Sequence, residues 1–325
     1  MTKDRRLSLA VWRYDRTEAF YDGRVGISGY DLDLIDAPLE ELFLRAFTGA
    51  EFDLAELSFS NFLRLSLAGE CPYLGLPIFP SRSFRHGVFY VRDDGRIREP
   101  ADLVGRRVGV REYSMTAALA ARGALRDHYG IASDRIQWVM GDVDKKERDE
   151  IVLPRLFKDL SIEVAQDGAL LCDMLRDGRI DAILAYKPIA DFQNGNGVRR
   201  LIADYARAEA DYFRTTGIFP IMHLVGIRRD VASADPALAG KVVAAFKQAQ
   251  ALANENLWTE QALKISLPWV GEELRRTVEI MGRDYWPSGF EKNRAVIARM
   301  TDWSFEDGLI PRKPAPEELF ISDGL

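Results

Sequence analysis

Two arginines and a histidine fall within five positions in Ser81-Arg-Ser-Phe-Arg-His86. Arginine's planar fork matches a carboxylate and keeps its charge at any working pH. Arg82 and Arg85 are therefore candidate clamps for an anionic ligand. His86 and His223 are two of only three histidines, and imidazole titrates near neutrality, as general acid–base work requires. The third, His128 in Arg126-Asp-His-Tyr129, reads as a surface or capping residue. Glu112-Tyr-Ser-Met-Thr116 follows a strand-like run and opens a helical pattern. A helix start presents free N–H groups and partial positive charge. Tyr113, Ser114 and Thr116 are candidate ligand contacts there, with capping the plain alternative for the two hydroxyls. Glu112 is a candidate base or partner for a histidine. Ser58-Phe-Ser-Asn61 stands at the same kind of junction, which makes Ser58 and Asn61 candidate hydrogen-bonding groups. Arg13, beside Trp12 and Tyr14, and Lys187, after Ile180–Tyr186, complete the candidate binding set.

Those residues need strands and helices to hold them. Strand-like runs are expected at Arg6–Trp12, Asp31–Asp36, Asp53–Leu57, Gly87–Arg92, Arg107–Arg111, Ile136–Met140, Ile180–Tyr186 and Met222–Arg228. Helical patterns are expected at Pro38–Thr48, Ser60–Ala68, Ser114–Tyr129, Ala169–Arg176, Pro236–Thr259, Glu272–Met281 and Phe290–Asp307. The alternation argues for an α/β protein with mostly parallel sheets. Two apolar runs flanked by Gly or Pro, near 86–92 and 217–228, read as hinge strands between two lobes. The expected division is a discontinuous lobe of 1–91 plus 217–325 and an inserted lobe of 92–216, with a ligand cleft between them. His86 and His223 each fall in or beside a hinge, so the two imidazoles are expected near the cleft floor. The charged run Asp142–Glu150 is expected to be a solvated loop.

The composition narrows the function. The 325 residues suit two compact lobes. A net charge of −6 argues against a nucleic-acid partner that needs a broad basic face. No stretch reaches the ~20 apolar residues of a membrane span. The N-terminal segment lacks the long apolar core of a secretory signal, so a cytoplasmic location is expected. The two cysteines, Cys71 and Cys172, read as buried thiols. No phosphate-binding, dinucleotide-binding, zinc-peptidase or nucleophile-elbow motif is found; a metal site made from two histidines and Glu112 stays open, its spacing not being diagnostic.

Several stretches resemble the 4,5-dihydroxyphthalate decarboxylase family. They are Tyr14-Asp-Arg-Thr17, Asp53-Leu-Ala-Glu-Leu-Ser-Phe-Ser-Asn61, Ile78-Phe-Pro-Ser-Arg-Ser-Phe-Arg-His86, Val108-Gly-Val-Arg-Glu-Tyr-Ser-Met-Thr-Ala-Ala118, Ala121-Arg-Gly123, Tyr212-Phe-Arg-Thr-Thr-Gly-Ile-Phe-Pro-Ile-Met-His223 and Asp284-Tyr-Trp-Pro287. The resemblance implies a type II periplasmic-binding-protein-like fold, a cofactor-independent decarboxylase, a small aromatic carboxylate as substrate and a homo-oligomer. The expected reaction converts 4,5-dihydroxyphthalate to protocatechuate. It needs a base near the phenol, an acid over the ring carbon and a clamp on the second carboxylate. His86 or His223 is the expected acid, the other histidine or Glu112 the base, and Arg82 or Arg85 the clamp. Two alternatives stay open: a non-catalytic small-acid-binding protein of the same fold, or an enzyme of related fold acting on another small molecule.

Overall fold

The structure, a computed structural model, describes residues 5–147, 151–259 and 261–321. Its strands are β1 (Arg5–Ala10), β2 (Tyr30–Ile35), β3 (Leu54–Ser58), β4 (Tyr73–Arg82), β5 (Phe89–Arg92), β6 (Arg107–Val110), β7 (Gln137–Met140), β8 (Ile162–Val164), β9 (Ala182–Leu184), β10 (Val198–Arg200) and β11 (Ile221–Arg228). Its helices are α1 (Glu18–Tyr21), α2 (Leu39–Gly49), α3 (Phe59–Ala68), α4 (Thr116–Tyr129), α5 (Leu171–Arg176), α6 (Ala190–Gln193), α7 (Tyr205–Thr216), α8 (Arg229–Ala234), α9 (Leu238–Leu257), α10 (Val270–Met281) and α11 (Arg294–Glu306). No helix among the described residues is long and apolar enough to cross a membrane.

The chain divides into two compact units. The first takes Met1–Arg82, Ile221–Ala298 and Pro314–Leu325, and the second takes Ser83–Pro220 and Arg299–Lys313. The chain therefore changes unit four times, where two hinge strands were expected. The pairing explains the first two boundaries. Ile221 pairs with Arg82, and His223 with Ser81, which holds β4 in the first sheet through its last residue. β5 pairs with β9 and β10 instead and belongs to the second sheet. Residues 299–313, expected in the first lobe, go with the second unit because Arg299 and Asp307 pair with Asp127 and Arg122.

The first unit carries a five-stranded sheet in the order β2-β1-β3-β11-β4. β1 runs parallel to β2 and β3, and β11 lies antiparallel to both β3 and β4. Leu7, Leu9, Leu54, Leu76, Val225 and Ile227 join Phe20, Val242, Phe246 and Ala249 in one buried cluster. β4 was not expected from the sequence, because Pro77 and Pro80 interrupt it. Proline lacks an N–H and is confined to sheet edges, and β4 is one of the sheet's two edge strands. Its outer carbonyls are covered: Gly289 N–H donates to Pro77 O at 3.0 Å and Ile321 N–H to Gly75 O at 2.9 Å.

The second unit carries a six-stranded sheet in the order β10-β5-β9-β6-β7-β8. β9, β6, β7 and β8 are parallel, and β5 runs against both of its neighbours. Tyr90, Val139, Leu171, Leu175, Ile180 and Ile183 form a buried cluster. Gly123 lets α4 meet the segment after residue 298 closely. A Cβ there would stand 2.3 Å from the Trp303 ring, so no larger residue fits without moving Trp303. The charged run 142–150 is a loop where it is described, with residues 144–147 exposed as expected, and its first residue is turned inward. Asp142 is buried and accepts the N–H of Glu147 at 2.9 Å; residues 148–150 lie outside the described residues.

Candidate active site

A buried carboxylate organises the first unit's polar cluster. Glu56, on β3, is completely buried. Burying an ionised carboxylate costs several kcal/mol or more unless donors surround it, and three donors do. Trp12 N–H donates to Oε2 at 2.9 Å, and Tyr14 Oη to Oε1 at 2.7 Å. His223 Nδ1 stands 2.6 Å from Oε1. A carboxylate only accepts, so Nδ1 carries the proton and, in the neutral ring, Nε2 carries the lone pair.

The local fold explains why these groups meet. His223 pairs with Ser58 on one side and Ser81 on the other, and Glu56 pairs with Val225. Paired residues share a sheet face, so Glu56, Ser58 and His223 face the same way. The loop after β1 supplies the rest. Thr17 is fully buried, accepts the N–H of Tyr14 at 2.8 Å and donates to Trp12 O at 2.7 Å. That knot fixes Trp12 and Tyr14 beyond the carboxyl end of a parallel strand, where ligands of α/β sheets are usually held. Burial, then the Glu56 charge, raises the Tyr14 phenol far above its ordinary pKa, so it stays protonated. Phe43 packs edge-on against His223 at 4.9 Å. Trp12 stands edge-on to Tyr14 at 5.3 Å and is 44% exposed, an aromatic surface open to a planar ligand.

Other expected site residues have different surroundings. Arg82 is buried and donates to Pro287 O at 3.1 Å and to Asn293 Oδ1; burial pulls its pKa down to about 9. Arg85 belongs to the second unit, half-buried, with Glu209 and Tyr186 as its titratable neighbours. Ser58 precedes α3 without capping it through its side chain, and Asn61 accepts from Arg64 at 2.9 Å. Met115, not Ser114, is the N-cap of α4, and Ser114 donates to Glu112 Oε1 at 2.7 Å instead. Thr116 is buried in the first turn. Tyr113 is fully buried under the Arg122 guanidinium at 3.7 Å, its pKa pushed to about 12 by burial. Arg13 is exposed and paired with Glu18 at 2.6 Å. Lys187 is exposed, 5.1 Å from the Tyr186 ring.

His86 sits in the second unit, 2% exposed. Its Nε2 lies 3.2 Å from Nδ1 of His128, and its backbone N–H donates to Glu209 Oε1 at 3.2 Å. His128 is thus half-buried and paired, not a surface or capping residue. Burial, helped by His128, lowers the His86 pKa to about 4, and burial raises Glu209 to about 7. The two shifts give opposite slopes of stability against pH. The unfolded chain protonates His86 more readily, so acid between 6.5 and about 4 costs stability. The folded chain holds the Glu209 proton longer, so alkali between 4.5 and about 7 costs stability. Glu209→Gln should therefore gain on the wild type as pH rises from about 5 to about 8. Urea midpoints at the two pH values measure this; an equal offset at both would contradict it.

Neither Glu56 nor Arg16 was singled out from the sequence, although both lie inside the quoted family stretches. No protein-family model matches the chain. The chain is 38% identical over 315 residues to a 4,5-dihydroxyphthalate decarboxylase of Comamonas testosteroni, covering 97% of this chain and 96% of the relative. It is 37% identical over 209 residues to a protein of the same name from Pseudomonas putida, covering 64% of this chain and 81% of that one. The periplasmic aliphatic sulphonate-binding protein of Escherichia coli superposes with a TM-score of 0.55 over 98% of each chain at 16% identity. That likeness bears out the α/β, periplasmic-binding-protein-like fold expected from the sequence. Identity at this level across nearly all of both chains carries more than fold, and it places this protein in the 4,5-dihydroxyphthalate decarboxylase family, a family of carboxy-lyases.

Proposed function

We propose that the protein converts 4,5-dihydroxyphthalate to protocatechuate and carbon dioxide, with His223 as the proton-transfer residue. The observation that carries this reading is the contact of His223 with the buried Glu56 carboxylate, 2.6 Å from Nδ1. It fixes the ring and leaves Nε2 for the substrate. In the proposed step, Nε2–H of the imidazolium protonates the ring carbon that bears the departing carboxylate. The para hydroxyl loses its proton, and a dienone forms. The carbon–carboxylate bond then breaks, carbon dioxide leaves, and its electron pair restores the aromatic ring. The phenol oxygen recovers a proton, and His223 is recharged from solvent. The net reaction takes up one proton per turnover. Glu56 stabilises the imidazolium, as a carboxylate behind a catalytic histidine does.

The sequence left His86 and His223 as rival acids. Burial and a pKa near 4 count against His86 and favour His223. The test is to add 4,5-dihydroxyphthalate to the purified protein, with and without chelator, and follow carbon dioxide and protocatechuate. Stoichiometric appearance of both is expected. Saturable binding without turnover would favour a non-catalytic binding protein and overturn the proposal.

A further inference from the structure

We infer that Arg16, supported by Lys247, recognises the carboxylate that the reaction leaves on the ring. This rests on the reading above, since it supposes a substrate with two carboxylates of which one is retained.

Arg16 is a prepared cation. Its guanidinium carbon lies 4.0 Å from the Tyr14 ring centroid and 4.4 Å from that of Trp286. Trp286 is itself fixed: Nε1 donates to Phe79 O at 3.0 Å, and its carbonyl accepts from Gln250 at 2.6 Å. Arg16 Nε donates to Pro80 O and Nη1 to Asp15 at 2.9 Å. Nη2 has no hydrogen-bond partner among the described residues. A guanidinium stacked between aromatic faces loses little rotamer freedom on binding an anion. The Arg16 side chain is 19% exposed, so a ligand can reach it.

The surroundings suit the carboxylate end of an acid rather than a whole ring, since the cavity is small, about 20 Å³. Arg16 and Lys247 line one cavity with Ile78, Phe79, Phe246 and Trp286. Among the described residues its wall holds two cations and no carboxylate. Lys247 is exposed and has no acidic partner among the described residues. The cavity adjoins the proton-transfer cluster, because Arg16 lies on the Tyr14 ring and feels the Glu56 charge. Arg82, by contrast, is turned toward Pro287 and Asn293. Two cations on an apolar wall favour a dianion over the product, which carries one carboxylate fewer.

Calorimetric titration of the full chain with phthalate tests the inference. Phthalate keeps both carboxylates and lacks the hydroxyls that the reaction uses, so binding is read apart from turnover. The wild type should bind phthalate more tightly than benzoate. Arg16→Gln should weaken phthalate binding by roughly 10²-fold, as loss of a charge-assisted clamp does. Arg16→Lys, which keeps the charge but loses the fork, should fall between them. Lys247→Met should weaken phthalate by about 5-fold, with less effect on benzoate. Unchanged phthalate affinity in a folded Arg16→Gln overturns the inference, whatever the turnover assay shows. Should that variant fail to fold, wild-type affinity in Arg16→Lys overturns it instead. Turnover absent from a wild type that binds phthalate through Arg16 overturns the decarboxylase reading and leaves the clamp standing.

Discussion

Replacing His223 with glutamine is expected to lower kcat by ~10²–10⁴-fold, the usual contribution of a positioned acid or base. Phthalate affinity should stay within about 2-fold, because the substitution removes a group that acts in the transition state. Glutamine keeps a donor for Glu56, so the buried carboxylate is not stranded. Protocatechuate formation under saturating substrate measures the effect; kcat within about 3-fold of wild type would remove His223 from the chemistry. Glu56→Gln should lower kcat as well, because the imidazolium loses its counter-charge. His86→Ala, run beside them, separates the two histidines. A loss there comparable to that of His223→Gln would return His86 to the mechanism.

The second large effect concerns stability. Arg122 and Asp307 are 1% and 2% exposed and meet at 2.6 Å. Asp307 also accepts from Ser133 at 2.6 Å and from Arg126 at 3.2 Å. Both terminal nitrogens of Arg122 lack hydrogen-bond partners among the described residues, although the guanidinium lies against Tyr113 and Trp138. Asp307 is thus the group that compensates a deeply buried cation. Asp307→Asn keeps the shape and removes the charge, which should cost about 3–5 kcal/mol. Arg122→Met in the same chain should recover part of that loss, since the stranded charge goes with it. Urea midpoints of the two single variants and the double variant give the coupling. Strictly additive single losses would show that the pair does not act as a unit.

Much of the frame was legible because it follows from repetition. β1, β3, β6 and β11 were expected from apolar runs, and α4 and α9 from their helical periods. β4 was not, because two prolines disguise an edge strand whose partner is some 140 residues away in sequence. α7 was missed for a different reason: Tyr205–Thr216 is rich in polar residues and buries little beyond Tyr212.

The site was legible by residue type but not by partner. His223 was identified because histidines are scarce. Its organising carboxylate was not, because Glu56 reads as the lone charged residue in the apolar strand β3, and only the register with β11 shows what it faces. Arg82 and Arg85 drew attention by clustering. Arg16, which is enclosed by Tyr14 and Trp286, has a neighbour 270 positions further on that no local pattern connects to it.

The second unit's make-up also governs how the chain must be made. Arg122 and Asp307 are separated by 185 positions, and Asp127 and Arg299 by 172. A ribosome that has delivered Pro220 has not yet made either partner. At ~5–20 residues per second, the nascent polypeptide waits several seconds with that guanidinium uncompensated. Vectorial folding of this half is thus deferred until residues 299–307 have been made. A gene fragment that encodes 83–220 alone should yield an aggregation-prone product, and a circular permutant that brings 299–313 beside it should be soluble.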